Sequence, residues 1–308
     1  MPDNAVALTA TATPNPYTIT YYGNEGETAD GKTELEQPVT FDSEVTLQAN
    51  TFEREGYDFQ GWSTDPEGEV EYVNSETFKY EIIGDLELYA VWAPAQVKFT
   101  VQFYRTTDVY QTHFVEFGNY GNGEVTGFKT GDVLSFSLTR DAVHEKLRIT
   151  SGETVVERNY YYLVNNVFTL DHVEAVRDNG DGTTTPLDQA IVQEDGSLLV
   201  NIYLKAATFT LTVEMDEGFE DIEIAPAGFD EGVTYVLDNG DGTYTISFNQ
   251  GFIPTPQLKD GYEFGEWSAE IDENYRYQFS TLEDFVAGTY SYISMPDGNY
   301  TLSATSTP

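Results

Sequence analysis

Apolar and polar residues alternate in three short segments of the chain. The segments are residues 17–21 (YTITY), 99–103 (FTVQF) and 209–213 (FTLTV), and each places a bulky residue at every second position. A period of two puts one side of a β-strand in a core and the other side in water. We therefore predict that each segment is the first strand of a small sheet-rich module.

Three similar segments close the same regions. They are residues 86–92, 200–204 and 300–304, and only a few residues separate the first two from the next opening strand. Short linkers leave little freedom between neighbouring modules. The pattern predicts an elongated array of a first module (17–94), a middle module (95–207) and a last module (208–308), after a disordered lead-in at residues 1–16.

Aromatic residues make up 14% of the chain, with 22 Tyr and 19 Phe, and this composition favours a mainly β protein. Helix signals are few. Residues 139–147 could form two turns with Thr139 as the N-cap, and residues 281–287 could form another short helix before Gly288. We expect both helices to be additions to a sheet.

One aromatic motif occurs in both the first and the last module. Residues 56–63 (GYDFQGWS) recur as residues 261–268 (GYEFGEWS), which brings Trp62 and Trp267 to the same position. A repeated Gly-Tyr-x-Phe-x-x-Trp pattern is typical of a strand that buries a large aromatic load. We predict that both tryptophans are core residues, and the alternative is a sugar-binding aromatic surface.

These residues resemble a known family. The first module resembles the InlB B-repeat, also called the Listeria–Bacteroides repeat, in its opening strand, its GYDFQGW motif and its closing LELYAVW. The last module resembles a divergent form of that repeat, in which Ser306 stands in register with Trp92. The segment 194–203 of the middle module is similar to the strand pair of mucin-binding (MucBP-like) modules.

The resemblance implies tandem β-grasp-like modules, α+β but dominated by sheet, in surface proteins of Gram-positive or gut bacteria. Such modules act as spacers or adhesive units. The family implies no catalytic residues and no cofactor, so none is assigned to this chain.

The charge balance narrows the range of partners. The chain has 53 acidic and 14 basic residues and a net charge of −39, so it repels nucleic acid and anionic membranes. It has no cysteine, which excludes disulfides and thiolate metal sites. No apolar run is long enough to insert into a membrane. The acidity favours solubility, and divalent-cation binding is the alternative.

The hexapeptide DNGDGT occurs twice, at residues 178–183 and 238–243. An EF-hand loop has an acidic residue five positions before its glycine. With Gly182 or Gly242 as that glycine, Arg177 or Leu237 occupies the acidic position. We therefore predict hairpin turns, because Asn-Gly and Asp-Gly pairs adopt positive φ readily. A calcium site stays the alternative, and no metal ligand is assigned.

No set of side chains indicates catalysis. The histidines His113, His144 and His172 have no metal-ligand spacing, and we interpret them as ordinary surface or core residues. Isopeptide cross-links would need a buried lysine beside Asn or Asp and an acid. The candidate lysines lie near predicted strands and are Lys98, Lys129 and Lys205.

The sequence thus predicts a non-enzymatic, monomeric region of a secreted or cell-surface protein. The termini show no signal peptide and no sortase motif, so we interpret the chain as an internal piece of a longer exported protein. Two other functions stay open. One is binding of a host or cell-wall glycan or glycoprotein through exposed tyrosines, and the other is an accessory role in a large secreted hydrolase.

Overall fold

The computed structural model describes residues 13–117, 121–142, 144–162, 167–228, 230–273, 275 and 278–308. Most of the predicted lead-in, residues 1–12, lies outside the described residues. Within them, many small sheets and one short helix account for the regular structure. The predicted mainly β class is therefore confirmed.

The chain divides into two compact units. One contains the residues up to Val97 together with the short segments Lys129–Gly131 and Gln193–Asp195, and the other contains the rest. The second unit thus holds most of the middle module and all of the last one. The module boundaries stay a prediction, but the strands agree with short linkers, because only Ala95 and Ala207 separate the flanking strands.

The first module has a four-stranded sheet in the order β2-β1-β6-β4 and a small pair, β3-β5. Its central strands, β1 and β6, run parallel, and the outer strands are antiparallel to them. The strands are β1 (Pro16–Tyr22), β2 (Glu34–Thr40), β3 (Glu44–Thr46), β4 (Tyr57–Ser63), β5 (Thr77–Lys79) and β6 (Leu86–Pro94).

The middle module has a large sheet in the order β14-β13-β15-β7-β8, with β9 also paired to β7, and a second sheet, β10-β11-β12. Its first and last strands, β7 and β15, again run parallel. The strands are β7 (Gln96–Thr106), β8 (Phe114–Glu116), β9 (Gly123–Lys129), β10 (Ser135–Arg140), β11 (His144–Ser151), β12 (Thr154–Tyr162), β13 (Phe168–Asp178), β14 (Thr184–Leu187) and β15 (Leu198–Ala206).

The last module has one sheet in the order β18-β19-β16-β23-β21 and another in the order β17-β20-β22. Its first and last strands, β16 and β23, are parallel neighbours. The elements are β16 (Thr208–Met215), β17 (Phe219–Pro226), β18 (Val236–Asp238), β19 (Thr243–Ser247), β20 (Gly251–Leu258), β21 (Glu263–Ile271), α1 (Leu282–Val286), β22 (Ile293–Ser294) and β23 (Tyr300–Thr307).

All three modules therefore share a core in which the first and last strands pair in parallel at the centre of a sheet. This pairing is the one expected for a β-grasp-like module. The helix that completes such a fold is absent from residues 13–97, all of which the structure describes. Loops and the β3-β5 pair cover that face of the first sheet instead.

The alternation in the opening strands produces the cores directly. In β1 the buried apolar side chains are Ile19 and Tyr21, and in β7 they are Phe99, Val101 and Phe103. Each set packs beside the buried side chains of the parallel partner strand. In the first module these partner side chains are Leu88 and Ala90. Burying one such side chain stabilises a module by roughly 1.5–3 kcal/mol.

The predicted helix at residues 139–147 is wrong. Strands β10 and β11 form an antiparallel hairpin here, in which Leu138 faces Leu147 and Phe136 faces Ile149. These apolar pairs follow a period of two on each strand, and burial of Leu147 and Ile149 outweighs the weak local helix preference. Thr139 is therefore a strand residue and caps no helix.

The predicted helix at residues 281–287 is confirmed as α1. Thr281 is its N-cap, and its hydroxyl accepts a hydrogen bond from the Asp284 N–H while the Asp284 carboxylate accepts one from the Thr281 N–H. This reciprocal capping box satisfies two N–H groups that a helix end otherwise leaves free. Leu282 and Phe285 pack against the core of the last module.

Within the second unit, the turn after β7 joins the middle module to the last one. Asp108 is 2% exposed, and its carboxylate accepts hydrogen bonds from the N–H groups of Thr112 and His113. Its carbonyl oxygen accepts one from the hydroxyl of Ser247, on β19, at 2.7 Å. Burial by itself would raise the pKa of Asp108, but these hydrogen bonds outweigh it and lower the pKa, so the carboxylate stays charged.

Candidate functional site

The first and middle modules each carry a stacked pair of tyrosines on the side of the sheet that faces away from the core. Tyr22 and Tyr89 are partners across β1 and β6, with ring centroids 4.9 Å apart and planes at 16°. Tyr104 and Tyr203 are partners across β7 and β15, at 4.9 Å and 15°. The two pairs occupy equivalent positions, one residue after the buried Tyr21 or Phe103.

A carboxylate accompanies each pair. Glu87 accepts hydrogen bonds from the hydroxyls of Tyr22, at 3.3 Å, and Tyr89, at 3.2 Å. Glu174 accepts one from Tyr203 at 2.8 Å. Partial burial and Glu174 raise the pKa of Tyr203 to about 12, and partial burial and Glu87 raise the pKa of Tyr22 and Tyr89. All these phenols are therefore neutral donors at physiological pH.

The pair in the middle module extends into a column of rings. His172 stacks on Tyr203 with centroids 4.2 Å apart and planes at 7°, and Phe114 meets both rings edge-on. Because β13 and β7 flank β15 on opposite sides, His172 and Tyr104 cover opposite faces of Tyr203. A sugar ring stacks on an open aromatic face, whereas both faces of the Tyr203 ring are covered.

The last module lacks the pair. Glu214 and Ser303 are partners across β16 and β23 at the corresponding place, and the Ser303 hydroxyl donates a hydrogen bond to Glu214 at 3.2 Å. The stacked tyrosines are thus a property of two modules and not of the shared fold.

The prediction for Trp62 is confirmed. Its side chain is 1% exposed and meets the rings of Tyr21, Phe59 and Phe52 edge-on, at 4.9, 5.0 and 6.2 Å. The indole N–H of Trp62 has no hydrogen-bond partner, although a buried polar tip usually has one. Packing alone therefore holds this ring.

The prediction for Trp267 is wrong in degree. Its side chain is half-buried, packs on the rim of the last module's core and has Phe264 as its ring neighbour at 5.2 Å. Most of β21, including the motif residues Phe264 and Glu266, is exposed. The shared motif therefore predicts a strand in both modules, but it does not predict how deeply the side chains of that strand are buried.

The two DNGDGT segments form the same turn, so the predicted hairpins are confirmed. The first joins β13 to β14 and the second joins β18 to β19. Asp181 and Asp241 each accept hydrogen bonds from the N–H and hydroxyl of the following threonine, Thr183 or Thr243. These bonds lower the pKa of both aspartates, and each carboxylate organises its own turn.

The candidate lysines for an isopeptide bond are not buried. Lys98 and Lys129 are exposed, and Lys98 forms an ion pair with Glu124 at 2.5 Å. Lys205, which is half-buried, lies 2.6 Å from Asp171. Hydrogen bonds from Lys205 and His172 lower the pKa of Asp171, which keeps it a carboxylate, whereas bond formation needs the neutral acid. Lys98 and Lys205 thus form ion pairs in the structure.

Each histidine lies beside a carboxylate. His113 is 3.7 Å from Asp230, His144 is 3.7 Å from Asp141, and His172 is 2.7 Å from Asp171. Among the described residues, no three His, Asp or Glu side chains converge as metal ligands would. No helix in the described part of the chain is long and apolar enough to cross a membrane.

The middle module also has an open cleft of about 580 Å³ between its two sheets. Its walls include Phe136, Val176 and Pro186, and its polar lining includes Glu174 and Gln189. Ligand sites of roughly 300–1,000 Å³ commonly combine apolar walls with a few polar groups. A ligand could enter this cleft.

The stacked tyrosines could not be predicted from the sequence. The alternation in β1 and β7 identified which side chains face the core. Tyr22 and Tyr104 each follow a core residue directly and therefore point to the other side of the sheet. Their partners, Tyr89 and Tyr203, lie 67 and 99 residues further along the chain. Only the parallel pairing of the first and last strands brings them together.

No curated protein matches the chain. A match to a protein family covers residues 17–91, which run from β1 almost to the end of β6 and include both Trp62 and the Tyr22–Tyr89 pair. The family is one of repeats typical of extracellular or surface proteins. The first module thus matches the Listeria-Bacteroides repeat domain, as its motifs predicted.

Proposed function

We propose that this chain is a non-catalytic spacer region of a bacterial cell-surface or secreted protein. The carrying observation is the parallel pairing of the first and last strands in all three modules. In a parallel pair, the start of one strand and the end of the other lie at opposite ends of the sheet. The chain therefore enters each module at one end and leaves it at the other.

The linkers and the charge support the same function. A single residue, Ala95 or Ala207, separates the flanking strands of consecutive modules, which leaves little freedom between neighbouring modules. The net charge of −39 makes different parts of the chain repel one another and keeps the protein soluble and monomeric. The last module, which has the sheet order of the first in β19-β16-β23-β21, is on this proposal a divergent copy of the same repeat.

Small-angle X-ray scattering of the whole chain in about 0.15 M salt tests the proposal. A compact protein of this length has a radius of gyration near 19 Å, and a row of three modules has one near 28 Å. We expect a value close to the larger figure that falls only slightly in about 1 M salt, because salt screens charge but leaves the linkers short. A value near 20 Å at both salt concentrations would contradict a spacer.

A second candidate function is glycan binding by the middle module, and the cleft beside Phe136 and Glu174 favours it. The Tyr203 ring does not, because His172 and Tyr104 cover both of its faces. A glycan array on the whole chain, repeated with Phe136→Ala and Tyr203→Ala, separates these surfaces. Binding lost in Phe136→Ala alone supports the cleft, and binding lost in Tyr203→Ala alone assigns the ligand to the tyrosines instead.

A further inference from the structure

The parallel strand pair of each module has an extended and regular register. Ile19–Tyr22 pair with Leu86–Tyr89 in the first module, and Thr100–Arg105 pair with Leu199–Leu204 in the middle one. In the last module, Leu211–Met215 pair with Tyr300–Ala304. The pair is central in each sheet, so both of its strands also bond to a neighbour on the other side.

Tension on the chain acts on this pair in a particular direction. Because the chain enters at the start of one strand and leaves at the end of its parallel partner, pulling on the chain slides the two strands past each other. Sliding loads all of the hydrogen bonds between them together. In contrast, strand ends that lie side by side separate by breaking one bond after another.

The side chains oppose sliding as well. A shift of one residue carries every side chain of a strand to the other face of the sheet. In the first module it would part the stacked Tyr22 and Tyr89 and withdraw Tyr21 and Leu88 from the core. The stacked tyrosines thus lie across the strand pair that tension loads.

We propose that the parallel strand pairs are load-bearing elements, so that the chain resists stretching along its length as well as spanning distance. This inference deepens the proposed spacer function and rests on it for its biological role. The stacked Tyr22–Tyr89 and Tyr104–Tyr203 pairs are on this proposal reinforcements of the first and middle modules, which the Glu214–Ser303 pair replaces in the last.

Single-molecule pulling on the whole chain tests the proposal, since the absence of cysteine permits unique attachment points. Asn15→Cys with Pro94→Cys places handles at opposite ends of the β1-β6 pair, so force slides the strands. Asn15→Cys with Ile83→Cys places both handles at the same end, and Ile83 is 86% exposed. We expect the sliding direction to need at least about twice the rupture force at equal loading rate.

Equal forces in the two directions would overturn the proposal, provided that both double variants melt at the temperature of the parent chain. Tyr89→Ser, which introduces the residue found at Ser303, sharpens the test. It should lower the rupture force between handles at residues 15 and 94 more than the rupture force between handles at residues 15 and 83. An equal loss in both directions would show that the pair only adds general stability. A high sliding force in a chain that scatters as a compact particle would refute the spacer and retain the load-bearing element.

Discussion

The first and last modules share a sheet plan and a motif but differ in what covers the motif. Strands β4 and β21 both pair with the closing strand at its outer side, and both carry a bulge between the phenylalanine and the tryptophan of the motif. In the first module, Phe52 and Tyr72 come from loops to enclose Trp62. In the last module most of β21 stays exposed, so the equivalent Trp267 is half-buried.

Different side chains attach the closing strand to the turn after the opening strand in the first and last modules. The Trp92 indole N–H donates a hydrogen bond to the carbonyl oxygen of Gly23 at 2.9 Å, which ties β6 to the turn after β1. Ser306, in register with Trp92 as the sequence predicts, donates through its N–H and hydroxyl to Asp216, in the turn after β16. The first module thus uses a large ring at this position, and the last module uses hydrogen bonds to a carboxylate.

In both turns a glycine leaves space for the side chain of the closing strand, Trp92 or Ser306. A Cβ atom on Gly26 would lie 2.6 Å from the Trp92 ring, and one on Gly218 would overlap the Ser306 hydroxyl. The same strand arrangement therefore accepts either a tryptophan or a serine at this position, because a glycine in the facing turn leaves space for the side chain.

The largest expected difference concerns the tryptophans. Trp62→Ala removes a fully buried ring and should lower the free energy of unfolding of its module by about 3–5 kcal/mol. Trp267→Ala removes a half-buried ring and should cost about 1–2 kcal/mol. Chemical denaturation of both variants measures this, and equal losses would show that the two motifs are equally buried in solution.

A smaller effect is expected at the residue pairs on the outer side of the two sheets. A double-mutant cycle on Tyr22 and Tyr89 should give a coupling free energy of about 0.5–1.5 kcal/mol, because the rings stack. The same cycle on Glu214 and Ser303 should give about 0.2–1 kcal/mol. If the tyrosine cycle gives no coupling, the stacked geometry is not populated in solution.

The smallest effect is a titration. Hydrogen bonds from Ser306 lower the pKa of Asp216, so the carboxylate favours folding above its unfolded pKa, and this contribution is lost as pH falls through the lower folded pKa. NMR titration of the Asp216 carboxyl should show a low pKa that rises toward the ordinary value in Ser306→Ala. An unchanged pKa in that variant would contradict the role of Ser306.

Much of the fold was predictable because its signals are local. Alternation identified β1, β7 and β16, the Asn-Gly and Asp-Gly pairs identified both hairpin turns, and Thr281 marked the start of α1. At residues 139–147 a local helix signal competed with strand pairing. Leu147 and Ile149 gained more from packing in a sheet than from a helical turn, and that gain depends on distant residues.

The sequence by itself therefore determined the opening strands, the hairpin turns, helix α1 and the family of the first module, since backbone preference and turn chemistry depend on residues a few positions apart. Only the tertiary structure decided the burial of Trp267 and the stacking of Tyr22 on Tyr89. Both depend on which strands become neighbours and what packs over them. Contacts between residues as far apart as Tyr104 and Tyr203 form only when the whole sheet closes.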